Sequence, residues 1–123
     1  MSLKLSFCVA LMAFALSAFP VSAHHGWGGN VDQVSELTGV VEQSVSLSGP
    51  HATMKIRVND QVWDLTLAPP AATQRAGLKD GMIPVGATVT VRGNRNRDPK
   101  RFEMKCIRVT WNSKTYDVYP DRT

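Results

Sequence analysis

Cysteine is scarce. The chain holds two, Cys8 and Cys106, and the first falls in an apolar leader, so no disulfide framework is expected. A lone Cys106 in an apolar strand reads as a small buried hydrophobe. Aromatics are few as well, 7% of residues, and three of the four Phe (Phe7, Phe14, Phe19) stand in the leader. Binding to nucleic-acid bases uses stacking aromatics, and no nucleic-acid partner is expected. The ten acidic residues are scattered, with no evident carboxylate pair. Neither a serine-nucleophile motif nor a glycine-rich phosphate cradle occurs. The chain is therefore expected not to be an enzyme, a copper oxygenase being the one catalytic class that its histidines leave open.

Long apolar runs are limited to one. Met1-Ser2-Leu3-Lys4 gives a short cationic start, Leu5 to Phe19 is almost unbrokenly apolar, and Val21 and Ala23 place small residues where a signal peptidase cuts. The run is too short for a comfortable membrane span, and Cys8 lacks the preceding small residue of a lipoprotein site. Residues 1–23 thus read as a cleaved signal peptide, with Leu16-Ser17-Ala18 as a second possible cut, and the protein as periplasmic or secreted. The length of 123 residues allows one domain, and roughly 100 residues can bury a core without staples. The expected division is a signal peptide (1–23), an N-terminal arm (24–33) and a β domain (34–123).

The remainder has strand periodicity. Val34 to Leu47 is a long segment with Leu37, Val41, Val45 and Leu47 on one parity, and Gly39 within it marks a bend or bulge. Met54, Ile56 and Val58 alternate with Lys55 and Arg57, and Trp63, Leu65 and Leu67 form the next inward set, so the two segments predict a hairpin. Pro69-Pro70 followed by Ala71 to Ala76 predicts a short helix, stopped by Gly77 or Gly81. Ala87, Val89 and Val91 predict a fourth strand, Gly93 to Lys100 a polar loop, Arg101 to Trp111 a fifth strand, and Lys114 to Tyr119 a short sixth after an Asn112-Ser113 turn. A helix between strands three and four of a five- to six-stranded set predicts an all-β, OB-like barrel. An immunoglobulin-like sandwich needs about seven strands and lacks the helix.

The order of short motifs carries a resemblance. Ala23-His24-His25 comes directly after the leader, then Leu37-Thr38-Gly39-Val40-Val41, Pro50-His51, the Trp63 strand, and Pro84-Val85-Gly86 ahead of Val89 and Val91. The chain resembles a family of small exported bacterial proteins of unknown function. It departs from that pattern at Gly49, where Asn is usual before Pro-His, and at Ala87, where Asp usually follows the Gly. The resemblance implies export and a compact β fold, and supplies no activity.

Two groups of residues carry chemistry. Cleavage behind Ala23 makes His24 the N-terminus, so its amine and imidazole can chelate one metal and His25 can add a third nitrogen, a set that suits copper(II). His51 is a further candidate ligand, and Met54 a soft one for copper(I). The arrangement is similar to the N-terminal histidine brace of copper oxygenases, and predicts a periplasmic copper carrier or buffer. The second group is basic. Arg92, Arg95, Arg97, Lys100 and Arg101, continued by Lys105 and Arg108, crowd residues 92–108, and the alternative expectation is a non-catalytic OB module that binds an anionic ligand or a partner protein there.

Overall fold

The computed structural model describes residues 27–123. The strands are β1 (Asn30–Ser46), β2 (Thr53–Val58), β3 (Gln61–Thr66), β4 (Thr88–Asn96), β5 (Glu103–Trp111) and β6 (Lys114–Asp117). Helix α1 (Pro70–Arg75) stands between β3 and β4, and a 3-10 turn covers Pro120–Arg122. The sheet order is β3-β2-β1-β4-β5-β6. A further, parallel pairing of β3 with β5 (Asp64↔Glu103, Leu65↔Met104, Thr66↔Lys105) joins the ends. The circuit β1-β2-β3-β5-β4 closes into the OB-like barrel expected from the sequence, and closure protects strand edges that would otherwise be open.

Alternation decides what faces the core. The β2–β3 register sets Met54 against Leu65 and Ile56 against Trp63, all four buried. On the other face of the same hairpin Lys55 opposes Asp64, with a 3.4 Å ion pair between exposed side chains. Val41, Val45, Val89, Val91, Met104, Cys106 and Val109 complete the barrel's interior. Met54 has no exposed surface: it is packing, not a copper ligand. The Asn112-Ser113 turn has two positive φ values, 53° and 62°, the conformation that a tight hairpin requires of both central residues. Helix α1 begins on Pro70 and gives way at Gly77, φ 109°.

Two boundaries differ from expectation by several residues, while β5 starts at Glu103 instead of Arg101 and β6 ends at Asp117 instead of Tyr119. β1 starts at Asn30, so residues 30–33, expected in the arm, belong to the barrel: Asn30 pairs with Asn96, with a bulge between Asn30 and Val34. β4 likewise runs on to Asn96, so Gly93 to Asn96 is strand and the loop begins only at Arg97. The physical reason lies in Gly93 and Asn94. A Cβ on Gly93 would run into the Lys105 carbonyl and lie 2.8 Å from Cys106 Cα, so only glycine lets the two backbones approach here. The Asn94 amide then donates to the carbonyls of Val31 (3.0 Å) and Asp32 (3.2 Å), which fastens the β1 bulge onto β4.

β1 is long enough to serve two partners. Its residues from Val34 to Val40 pair with β4, and those from Val40 to Ser46 with β2. Gly39 marks the changeover, where a Cβ would lie 2.5 Å from the Arg57 carbonyl oxygen. Among the described residues no helix is long and apolar enough to cross a membrane.

Candidate functional site

The bend of β1 returns its first residue to the neighbourhood of the β1–β2 turn. Asn30 and His51 line one cleft of about 390 Å³. Its floor is the parallel seam of β3 and β5, represented by Asp64, Thr66, Glu103, Met104 and Lys105, and Asn96 stands on the β4 side. The turn that carries His51 is held from both ends. The Ala52 amide donates to the Ala68 carbonyl at 2.9 Å and the Leu67 amide to the Ala52 carbonyl at 2.8 Å, while the Leu47 amide donates to Asp80 Oδ1 at 2.8 Å. His51 is half-buried.

The two carboxylates of the cleft are engaged. Asp64 pairs with Lys55. Glu103 accepts from Asn96 Nδ2 at 2.9 Å and lies 3.8 Å from Arg101 Nε. Among the described residues no group of three or more His, Cys, Asp or Glu is arranged to hold a metal.

Trp27 roots the arm beside this cleft. Its ring meets Tyr119 edge-on with centroids 5.1 Å apart, Lys105 Nζ lies 4.4 Å from the ring centre and the Arg122 guanidinium 3.8 Å. Burial, and secondarily the positive charge of Arg122, push the Lys105 ammonium pKa below its ordinary value. Burial raises the Tyr119 phenol, while Arg122 works against that shift.

A second cleft, also about 390 Å³, is lined by Val31, Gln33, Ser35, Arg95, Asn96, Arg97 and Pro99. Asn96 is common to both clefts. Its amide donates to Glu103 while its Oδ1 accepts from the Asp98 backbone N–H at 2.8 Å.

The predicted site residues thus separate. His24 and His25 lie outside the described residues, and His51 lines the first cleft. Arg95 and Arg97 line the second. Arg92 sits in the strands, opposite Glu36 of β1 and Arg108 of β5. Lys100 and Arg101 are exposed on the loop. Of the five predicted basic residues, Arg95 and Arg97 line the second cleft, and Arg92, Lys100 and Arg101 do not. Sequence reasoning missed Asn30, Asn94 and Asn96. A signal was available: Asn is disfavoured inside strands, and two of them in the β4 pattern mark positions kept for their side-chain hydrogen bonds.

The chain belongs to a family of unknown function, DUF6152. The match covers residues 11–105, from within the N-terminal apolar run to the start of β5, and so includes the elements that line both clefts. No curated protein matches the chain.

Proposed function

We propose that this domain is an exported, periplasmic copper-binding protein, a carrier or buffer and not an enzyme, in which His24 and His25 chelate the metal and His51 adds a ligand from the barrel. The observation that carries it is that Asn30 and His51 line one cleft, although the sequence sets them at opposite ends of β1. Three residue steps lead from His24 to Trp27, a reach of about 10 Å when extended. Trp27 packs on Lys105, which also lines that cleft.

The chemistry comes from the ligand types. An amine with a pKa of about 7.7–8.0 gives up its proton to a metal at small cost near neutrality, and the adjoining imidazole completes a chelate. Copper(II) heads the divalent affinity order for such nitrogen ligands. Asp64 and Glu103 are already engaged, which favours holding a ligand over acid–base turnover.

Copper(II) titration of three forms tests this: the chain beginning at His24, the same chain with its N-terminal amine acetylated, and His51→Ala. Acetylation turns the His24 amine into an amide and supplies no new amine, so affinity should drop sharply. His51→Ala should weaken binding by a smaller factor. Equal affinity with and without the acetyl group would remove the amine chelate, and with it the proposed function.

A further inference from the structure

We propose that the second cleft, between the β1 bulge and the β4–β5 loop, binds the oxyanion of a sugar, carboxylate or phosphate, through Arg95 and Arg97. This goes beyond the copper function and shares none of its ligands.

The cleft is built, not slack. The β1 bulge that forms one wall is gathered by a single side chain: Asn94 Nδ2 lies 3.0, 3.2 and 3.5 Å from the carbonyls of Val31, Asp32 and Gln33. Bulges of this kind re-aim side chains beside binding sites. The volume of about 390 Å³ lies in the range of small-molecule pockets.

Its charge is one-sided. Two guanidinium groups line it and no carboxylate does, whereas the neighbouring cleft is lined by Asp64 and Glu103. Both arginines are held in place by contacts that leave their charge uncompensated. The Arg95 guanidinium lies 4.5 Å from the Trp63 ring centre, and Arg97 Nε donates to the Gly28 carbonyl at 3.0 Å. Among the described residues neither has an ion-pair partner. Pre-oriented guanidinium forks match carboxylate and phosphate geometry, and an anion between them would relieve the repulsion of two like charges.

The remaining lining indicates what the anion is attached to. Gln33 and Ser35 offer neutral donors and acceptors suited to hydroxyl groups, while Val31 and Pro99 offer apolar surface to a ring's C–H face. An oxyanion, several hydroxyls and an apolar ring face together describe an anionic sugar.

The test is a titration of the whole protein, freed of metal by a chelator and at low salt, with glucose 1-phosphate, glucuronate, inorganic phosphate and neutral glucose. Side-chain amide resonances of Gln33 and Asn96 and the arginine Nε–H signals report binding. One or both of the anionic sugars should give saturable shifts there, tighter than inorganic phosphate, with glucose silent, and which of them saturates distinguishes phosphate from carboxylate as the source. Arg97→Gln should weaken binding by about tenfold or more. Arg97→Lys, which keeps the charge but loses the fork, should recover only part. Ser35→Ala leaves the arginines and the bulge untouched, and should weaken the sugar more than inorganic phosphate. Non-saturating shifts, shifts spread equally to Lys100 and Arg101, or inorganic phosphate binding as tightly as the sugars would each overturn the proposal.

Discussion

The Arg122 guanidinium lies 3.8 Å from the centre of the Trp27 ring, so the residue that roots the N-terminal arm is stacked on the 3-10 turn beyond β6. Lys105 shares the same ring at 4.4 Å. Two cations on one indole repel each other, and the arrangement holds because each gains attraction to the ring face.

The causes of the Lys105 shift can be separated by mutation. Burial is the larger cause and Arg122 the smaller. Arg122→Gln removes the smaller cause alone, and is therefore expected to move the Lys105 pKa only part of the way back toward the ordinary lysine value. Titration of the lysine side-chain resonances by NMR measures this. Full recovery in Arg122→Gln would reverse the order of causes.

Trp63 closes one end of the core. It is 5% exposed and packs beneath Phe102, edge-on at 5.4 Å, and Arg95. Trp63→Ala should cost about 3–5 kcal/mol, as large aromatic truncations in cores do. Arg95→Ala, which removes a partly solvated cation from the ring, should cost about 0.5–1 kcal/mol. Denaturant melts of the two variants test the ranking.

Gly93 is a close-approach position. Gly93→Ala places a methyl against the Lys105 carbonyl and 2.8 Å from Cys106 Cα, and rigid backbone on both sides cannot yield cheaply. A loss of about 1–3 kcal/mol is expected. Gly29→Ala is the control, since a Cβ there meets nothing within 4 Å, and its melting temperature should stay near that of the parent. Equal melting temperatures for the two variants would mean that β4 and β5 can separate at Gly93 without loss.

Much of the barrel was legible because alternation is a strong signal where one face is buried. Met54, Ile56, Trp63, Leu65, Val89 and Val91 announce their own orientation. The helix was readable from Pro69-Pro70 and Gly77, and the last hairpin from Asn112-Ser113. What failed were the ends of β1 and β4, because those ends are polar: Asn30, Asn94 and Asn96 are held by side-chain hydrogen bonds, not by apolar burial, and such bonds have no period. The clefts were illegible for the same reason. His51 stood out as a residue, but its meeting with Asn30 depends on the bend of β1 at Gly39, and the sequence showed only that a bend was possible. The basic run was visible as composition, yet which arginines share a cleft depended on where β4 stops.

Cys106 gives a prediction whose sign can be worked out fully. Its thiol is wholly buried in the core, and burial pushes the pKa far above the ordinary thiol value. In the unfolded chain it titrates normally, at about 8.5. Below that pH both states keep the proton, and Cys106 makes stability neither rise nor fall with pH. Above it the unfolded chain loses a proton that the folded protein retains, so the unfolded state binds fewer protons and stability declines as pH rises. One such group contributes a slope of at most about 1.4 kcal/mol per pH unit. Lys105 and Tyr119 titrate in the same alkaline region, so the comparison must be with Cys106→Ala, in which they are retained. The cavity left by that substitution lowers stability by an amount that does not depend on pH. The difference in unfolding free energy between the parent and Cys106→Ala should therefore be flat from neutrality to about pH 8, then shift steadily against the parent from about pH 9 upward. The same burial makes the native thiol inert to a thiol-specific reagent until denaturant is added. A pH-independent difference, together with rapid labelling of the native protein, would mean that Cys106 ionises in the folded barrel and that the β4–β5 seam opens without global unfolding.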